Sequence, residues 1–144
     1  MDLLIDSNVV LDRMLKREHF FESAEKIFDI ADKNNDNGIN GYISASTVTD
    51  IYYIAYRSLK DRVKVRALLA EVLKVIKIAP VSGENIHYAF NLDWKDFEDA
   101  VQYSVALSKG MDAIITRNMK GFSQAEVKIY TPEEIINFID TKEN

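Results

Sequence analysis

Apolar positions along this chain fall into short continuous runs separated by longer stretches of helical period. Leu3-Leu4-Ile5 predicts a strand over 2–6, and a short helix over 7–15 follows. A longer helix is expected over 20–34, closed by the turn-forming stretch Asn34-Asn35-Asp36-Asn37-Gly38. Tyr42-Ile43-Ser44 reads as a strand. Ser46 or Thr47 then caps a helix to Leu59, with Val48, Ile51, Tyr52 and Ala55 on one face. Val65, Leu68, Leu69, Val72 and Ile76 recur at helical spacing and predict a helix over 62–76. Ile78 to Val81 forms a strand edge, and Ser82 opens a helix to Leu92. Phe97 to Lys109 carries the clearest helical face, stopped by Gly110. Ala113 to Thr116 reads as a strand buried on both faces, and Val127 to Tyr130 as the last strand. Pro132 sits in the first turn of a closing helix.

Short strands alternating with helices predict an α/β fold. Its expected form is three-layered, with helices on both faces of a mostly parallel sheet of four to five strands. A strand ending in an acid delivers that acid to the carboxyl edge of the sheet, where open α/β sheets bind ligands. Asp6 ends the first apolar run in this way.

Length and composition narrow the class. A chain of 144 residues suits one domain, 1–144, with a sizeable core, and an apolar fraction of 47% with two prolines argues against disorder. No apolar run reaches the roughly 20 residues a membrane-spanning helix needs. Asp2 and Asp6 break up the basic and apolar regions of a signal peptide, so a soluble, cytoplasmic protein is expected. Without cysteine there is neither a disulfide nor a thiolate metal site, and two histidines are a poor basis for zinc. The net charge of −5 is unusual for a nucleic-acid binder, but clustered carboxylates that hold cations count as negative until the cation binds.

Each acid has an ordinary explanation. Asp6 equally suits an N-cap, and Asp50 a solvated helical position. Asp96 and Asp99 share one face at a helix N-terminus, where the dipole favours negative charge without any metal. Thr116-Arg117-Asn118 is a polar turn after a buried strand. Jointly the picture changes, because two strand ends (Asp6, Asn118) and two helices (Asp50, Asp96 with Asp99) each supply an oxygen donor. Acids meeting at one sheet edge suit a hard divalent cation.

Four segments resemble the PIN-domain family of metal-dependent nucleases, in the family's order: Leu4-Ile5-Asp6-Ser7-Asn8, Ser46 to Asp50, Asp96-Phe97-Glu98-Asp99-Ala100, and Ile115-Thr116-Arg117-Asn118-Met119-Lys120-Gly121-Phe122. They span nearly the whole chain, whose length is similar to that of the compact toxin-like members found in bacterial toxin–antitoxin pairs. The resemblance implies that Asp6, Asp50 and Asp99 are the core acids binding Mg²⁺ or Mn²⁺, with Asp96 auxiliary and Thr116 orienting a ligand or water. The family's fourth acid falls on Asn118, which can ligate through its amide oxygen but brings no charge. It further implies an endoribonuclease that hydrolyses RNA with metal-activated water, with an antitoxin as protein partner.

The substrate's phosphates call for cations. Arg117 and Lys120, beside the strand end at Thr116, are the expected phosphate contacts. Arg57 to Arg66 is the densest basic stretch and reads mainly as a solvated face. Tyr52, Tyr53 and Tyr56 suit core or homodimer packing better than base stacking, and His19 and Trp94 receive no role. Two other functions compete. An aspartyl-phosphate phosphatase wants an acid two residues after Asp6, where Asn8 stands instead. A PIN-like binding module with a weakened metal site draws its support from Asn118.

Overall fold

A computed structural model describes residues 1–143. Five strands form one sheet: β1 (Asp2–Ile5), β2 (Asn40–Ser44), β3 (Lys77–Ala79), β4 (Ala113–Ile115) and β5 (Lys128–Tyr130). Every pairing is parallel, and the spatial order is β3-β2-β1-β4-β5. The seven helices of the described residues are α1 (Ser7–Met14), α2 (Phe21–Ile30), α3 (Ala45–Leu59), α4 (Arg62–Val75), α5 (Gly83–Leu92), α6 (Phe97–Ser108) and α7 (Pro132–Glu143).

The strands sort their side chains by the two-residue alternation of extended chain. Leu3, Ile5, Ala113 and Ile115 face one layer, built from α1, α2, α3, α4 and α7. Leu4 and Ile114 face the other, where they meet Tyr103, Val105 and Ala106 of α6 together with Phe122. A strand covered on both sides has no polar face to show, which is why β1 and β4 read as unbroken apolar runs. This is the three-layer α/β/α arrangement expected from the sequence.

Several boundaries differ from the sequence expectation. The second helix ends at Ile30, not near residue 34, because Asn35 and Asn37 turn back to donate to the carbonyls of Asp29 and Ile30. The cap of α3 is Ser44 instead of Ser46 or Thr47, and the Ser44 hydroxyl bonds the Thr47 hydroxyl at 2.7 Å instead of a backbone amide. β3 spans Lys77–Ala79 and stops before Pro80, which has no amide hydrogen for the ladder. Ser82 does open α5, in a reciprocal capping box with Asn85. Gly110 follows α6 with φ +63°, a left-handed conformation that glycine adopts without penalty.

Strand order reverses direction at β1. The chain moves from β1 outward to β2 and β3, then returns to the other side of β1 for β4 and β5. The crevice beyond the carboxyl ends of β1 and β4 is thus the topological switch point, the usual ligand site of such sheets. No helix among the described residues is long and apolar enough to cross a membrane.

Candidate metal centre

Register places Asp6 and Thr116 side by side. Ile5 pairs with Ile115, so the next residue of each strand emerges at the switch point, and the Asp6 amide donates to the Ile115 carbonyl at 2.9 Å. Asp6 is only 3% exposed. Its Oδ1 accepts from the Ser7 amide at 2.7 Å and from Gln102 Nε2 at 2.9 Å, and its Oδ2 from the Thr116 hydroxyl at 2.7 Å. Asp6 is therefore both the N-cap of α1 and the hub of a buried polar network. Two carboxylate oxygens offer about four acceptor positions, so Oδ2 keeps one open.

Helix α6 brings the remaining acids. Asp96 caps it by accepting the Asp99 amide at 3.0 Å. Asp99 then lies one turn from Gln102, on the face turned to β1, and is 5% exposed. Its Oδ2 is buried with no hydrogen-bond partner, and so is Glu98 Oε1. Burial first, then the charges of Asp6, Asp96 and Glu98, push the Asp99 carboxyl up to about 7. Glu98 is pushed to about 7 as well, by burial first and then by Asp50, with smaller contributions from Asp6 and Asp96; a hydrogen bond from Ser7 works in the opposite sense. Burial and the neighbouring carboxylates both disfavour the ionised form of these two groups.

Gly121 borders the same space. A Cβ there would collide with Asp99 Oδ2 and lie 2.7 Å from Asn118 Nδ2, so only glycine leaves the gap between these side chains open. The gap belongs to a cleft of about 580 Å³ lined by residues that include Asp96, Asp99, Asn118, Lys120 and Gly121, together with Trp94 and Lys95.

The structure thus gathers Asp6, Asp96, Asp99, Thr116 and Asn118 at the switch point. Asp50, half-buried on α3, joins through its effect on Glu98. Asn118 is exposed, and its Oδ1 accepts the Gly121 amide at 3.3 Å, capping the short 3-10 turn Met119–Phe122. Lys120 reaches the cleft. Arg117 is engaged within the chain: its Nε and Nη2 donate to the Asp12 carboxylate at 2.6 and 3.0 Å. Its guanidinium also covers the Phe20 ring at 3.8 Å. An arginine so engaged braces the Thr116–Asn118 turn against α1.

Glu98 and Gln102 escaped the sequence reading. They are four residues apart on α6, a spacing that sets them on one helical face, and Asp99 flanks them. That spacing was visible; which way the face turns was not.

The donor set tests well for a hard cation in one respect and less well in another. All donors are oxygens, and two of the buried ones lack partners. Yet among the described residues no three acidic or histidine side chains stand close enough together to enclose an ion. Such a site suits an ion that keeps much of its water and takes one or two carboxylates.

A parallel α/β sheet with an acid-lined cleft at its switch point defines the class. The family described as PIN domain matches residues 2–120, and the chain belongs to it. Ribonuclease VapC1 of Aquifex aeolicus (strain VF5) is 26% identical over 137 residues, covering 92% of this chain and 91% of that protein. Two solved structures share the fold. One is VapBC2 from Rickettsia felis bound to a promoter DNA fragment, at TM-score 0.71 and 16% identity over 91% of this chain and 98% of that one. The other is VapC20 from Mycobacterium tuberculosis, a Sarcin-Ricin loop cleaving toxin, at TM-score 0.61 and 14% identity over 78% of this chain and 86% of that one.

Proposed function

We propose that this chain is a Mg²⁺- or Mn²⁺-dependent endoribonuclease and the toxin half of a toxin–antitoxin pair. The observation that carries the reading is Asp99: a carboxylate buried at the switch point, one oxygen unpartnered, facing a cleft that also holds lysines. Family membership and the ribonuclease name of the Aquifex relative support the same activity. The antitoxin partner is supported by the VapBC pairs among the structural neighbours.

Asp6 and Asp99 would hold a hydrated ion, with Glu98, Asp96, Asp50 and Asn118 around them. A bound divalent ion supplies charge for the phosphate and lowers the pKa of water. The chain's own part is geometric. Gln102, Ser7 and Thr116 fix the Asp6 carboxylate, so it meets its ligand without reorganising. Lys120 and Lys95 offer cations on the cleft rim where a phosphodiester would lie.

Exposed Tyr53 and Tyr56 on α3 and Val63 on α4 leave an apolar surface for a homodimer, testable by sedimentation at two concentrations. The second reading, a binding module with a weakened site, is favoured by Asn118, which brings an amide to an exposed rim position. Calorimetric titration with Mg²⁺ and Mn²⁺, beside cleavage of single-stranded RNA by the parent, Asp6→Asn and Asp99→Asn chains, separates the two. The nuclease reading expects metal binding and cleavage, both lost in Asp99→Asn. Metal binding without cleavage would establish the module, and cleavage unaffected by both substitutions would overturn the site.

A further inference from the structure

Trp94 is the only tryptophan in the chain. It stands in the wall of the acidic cleft, near Asp99, Lys120 and Gln124. Its ring stacks on Tyr103 with centroids 4.8 Å apart and planes at 17°, while Phe122 meets it edge-on at 6.2 Å. Both supporting rings are buried, and the Tyr103 hydroxyl is itself fixed by accepting the Glu126 amide at 3.1 Å. The indole is thus held in one orientation by a rigid backing, yet only half-buried.

Trp94 also packs on the apolar cluster of Ala89, Ala100 and Val101, and its remaining surface borders the cleft. All the residues lining the cleft except Trp94 and Gly121 are polar or charged, so an apolar peptide would find little to bury there. A nucleotide fits better. Its base offers a π-face to the indole, its edge can hydrogen-bond with Ser123 and Gln124, and its phosphates pair with Lys95 and Lys120. A ring fixed in advance loses little freedom on stacking. Bases already stacked inside a duplex cannot reach such a wall, so the arrangement selects unpaired strands.

We propose that Trp94 is a stacking platform for one unpaired base of single-stranded RNA, beside a phosphodiester held by Lys95 and Lys120. This rests on the nuclease reading above. Because Trp94 is the sole indole, its emission reports on this wall alone.

The test titrates the full chain, in EDTA, with a short single-stranded RNA of mixed sequence and with the same sequence as a duplex. Saturable quenching by the single strand and none by the duplex is expected. In the presence of Mg²⁺, Trp94→Leu should raise KM by about 5- to 150-fold, the range for loss of one base–aromatic stack, while kcat changes little and Trp94→Phe recovers most of the affinity. Cleavage by the parent chain with silent emission, or an unchanged KM in Trp94→Leu, would overturn the platform and leave the nuclease standing. Equal quenching by the duplex would also overturn it. Absence of both cleavage and RNA binding in the parent would bring down the nuclease reading and the platform with it. The quenching arm needs no variant and decides the matter even if Trp94→Leu fails to fold.

Discussion

Replacing Asp12 with alanine removes the anchor that ties the Thr116–Asn118 turn to α1. In the native chain the Asp12 side chain is 1% exposed and faces Arg117, itself 29% exposed, across a contact of 2.6 Å. A second oxygen accepts Arg117 Nη2 at 3.0 Å, and Arg17 approaches the same carboxylate at 3.4 Å. Charge-assisted pairs of this kind are the strong ones, and removing one partner leaves the other buried and unpaired, typically at about 3–5 kcal/mol. Arg117 retains solvent on one side and the Phe20 ring on another, so a cost of about 2–3 kcal/mol is expected here. For a chain of this size that lowers Tm by about 5–10 °C. Thermal unfolding followed by far-ultraviolet circular dichroism measures it, and denaturant melts check that the slope is unchanged. The double variant Asp12→Ala/Arg117→Met should recover part of the loss, because the orphaned guanidinium is gone. A Tm within about 1 °C of the parent, or no recovery in the double variant, would show that the pair does not brace the turn.

In EDTA, Asp99→Asn should stabilise the chain far more at pH 8 than at pH 5. A carboxyl raised to about 7 when folded keeps its proton longer in the native than in the unfolded chain, so its contribution falls as pH climbs from about 4 to 7 and then levels off. Calorimetric melts across that range should show a flatter profile for Asp99→Asn and for Glu98→Gln; identical slopes would contradict the assigned burial. Thr116→Val removes the donor to buried Asp6 and the acceptor of the Asn118 amide, costing about 1–3 kcal/mol in urea unfolding, whereas Thr116→Ser should cost far less. Gly121→Ala places a methyl against Asp99 Oδ2 and Asn118, and should weaken Mg²⁺ binding in calorimetry while leaving Tm close to the parent's; unaltered binding would show that the gap is not where the ion sits.

The sequence by itself determined the layers. Apolar runs too short for helices, such as Leu3-Leu4-Ile5 and Ala113-Ile114-Ile115, had to be strands buried on both faces. The helical periods between them required parallel crossovers, and an acid ending the first strand had to reach the sheet's ligand edge. These features are local, written in two- and 3.6-residue periods. Only the tertiary structure decided the rest. Which strands are neighbours fixed Asp6 beside Thr116 across 110 positions of sequence. The turn of α6 about its axis aimed Glu98 and Gln102 inward, and packing of the Thr116–Asn118 turn on α1 paired Arg117 with Asp12. Contacts between residues far apart in the chain leave no period behind, because they arise from the packing of whole elements.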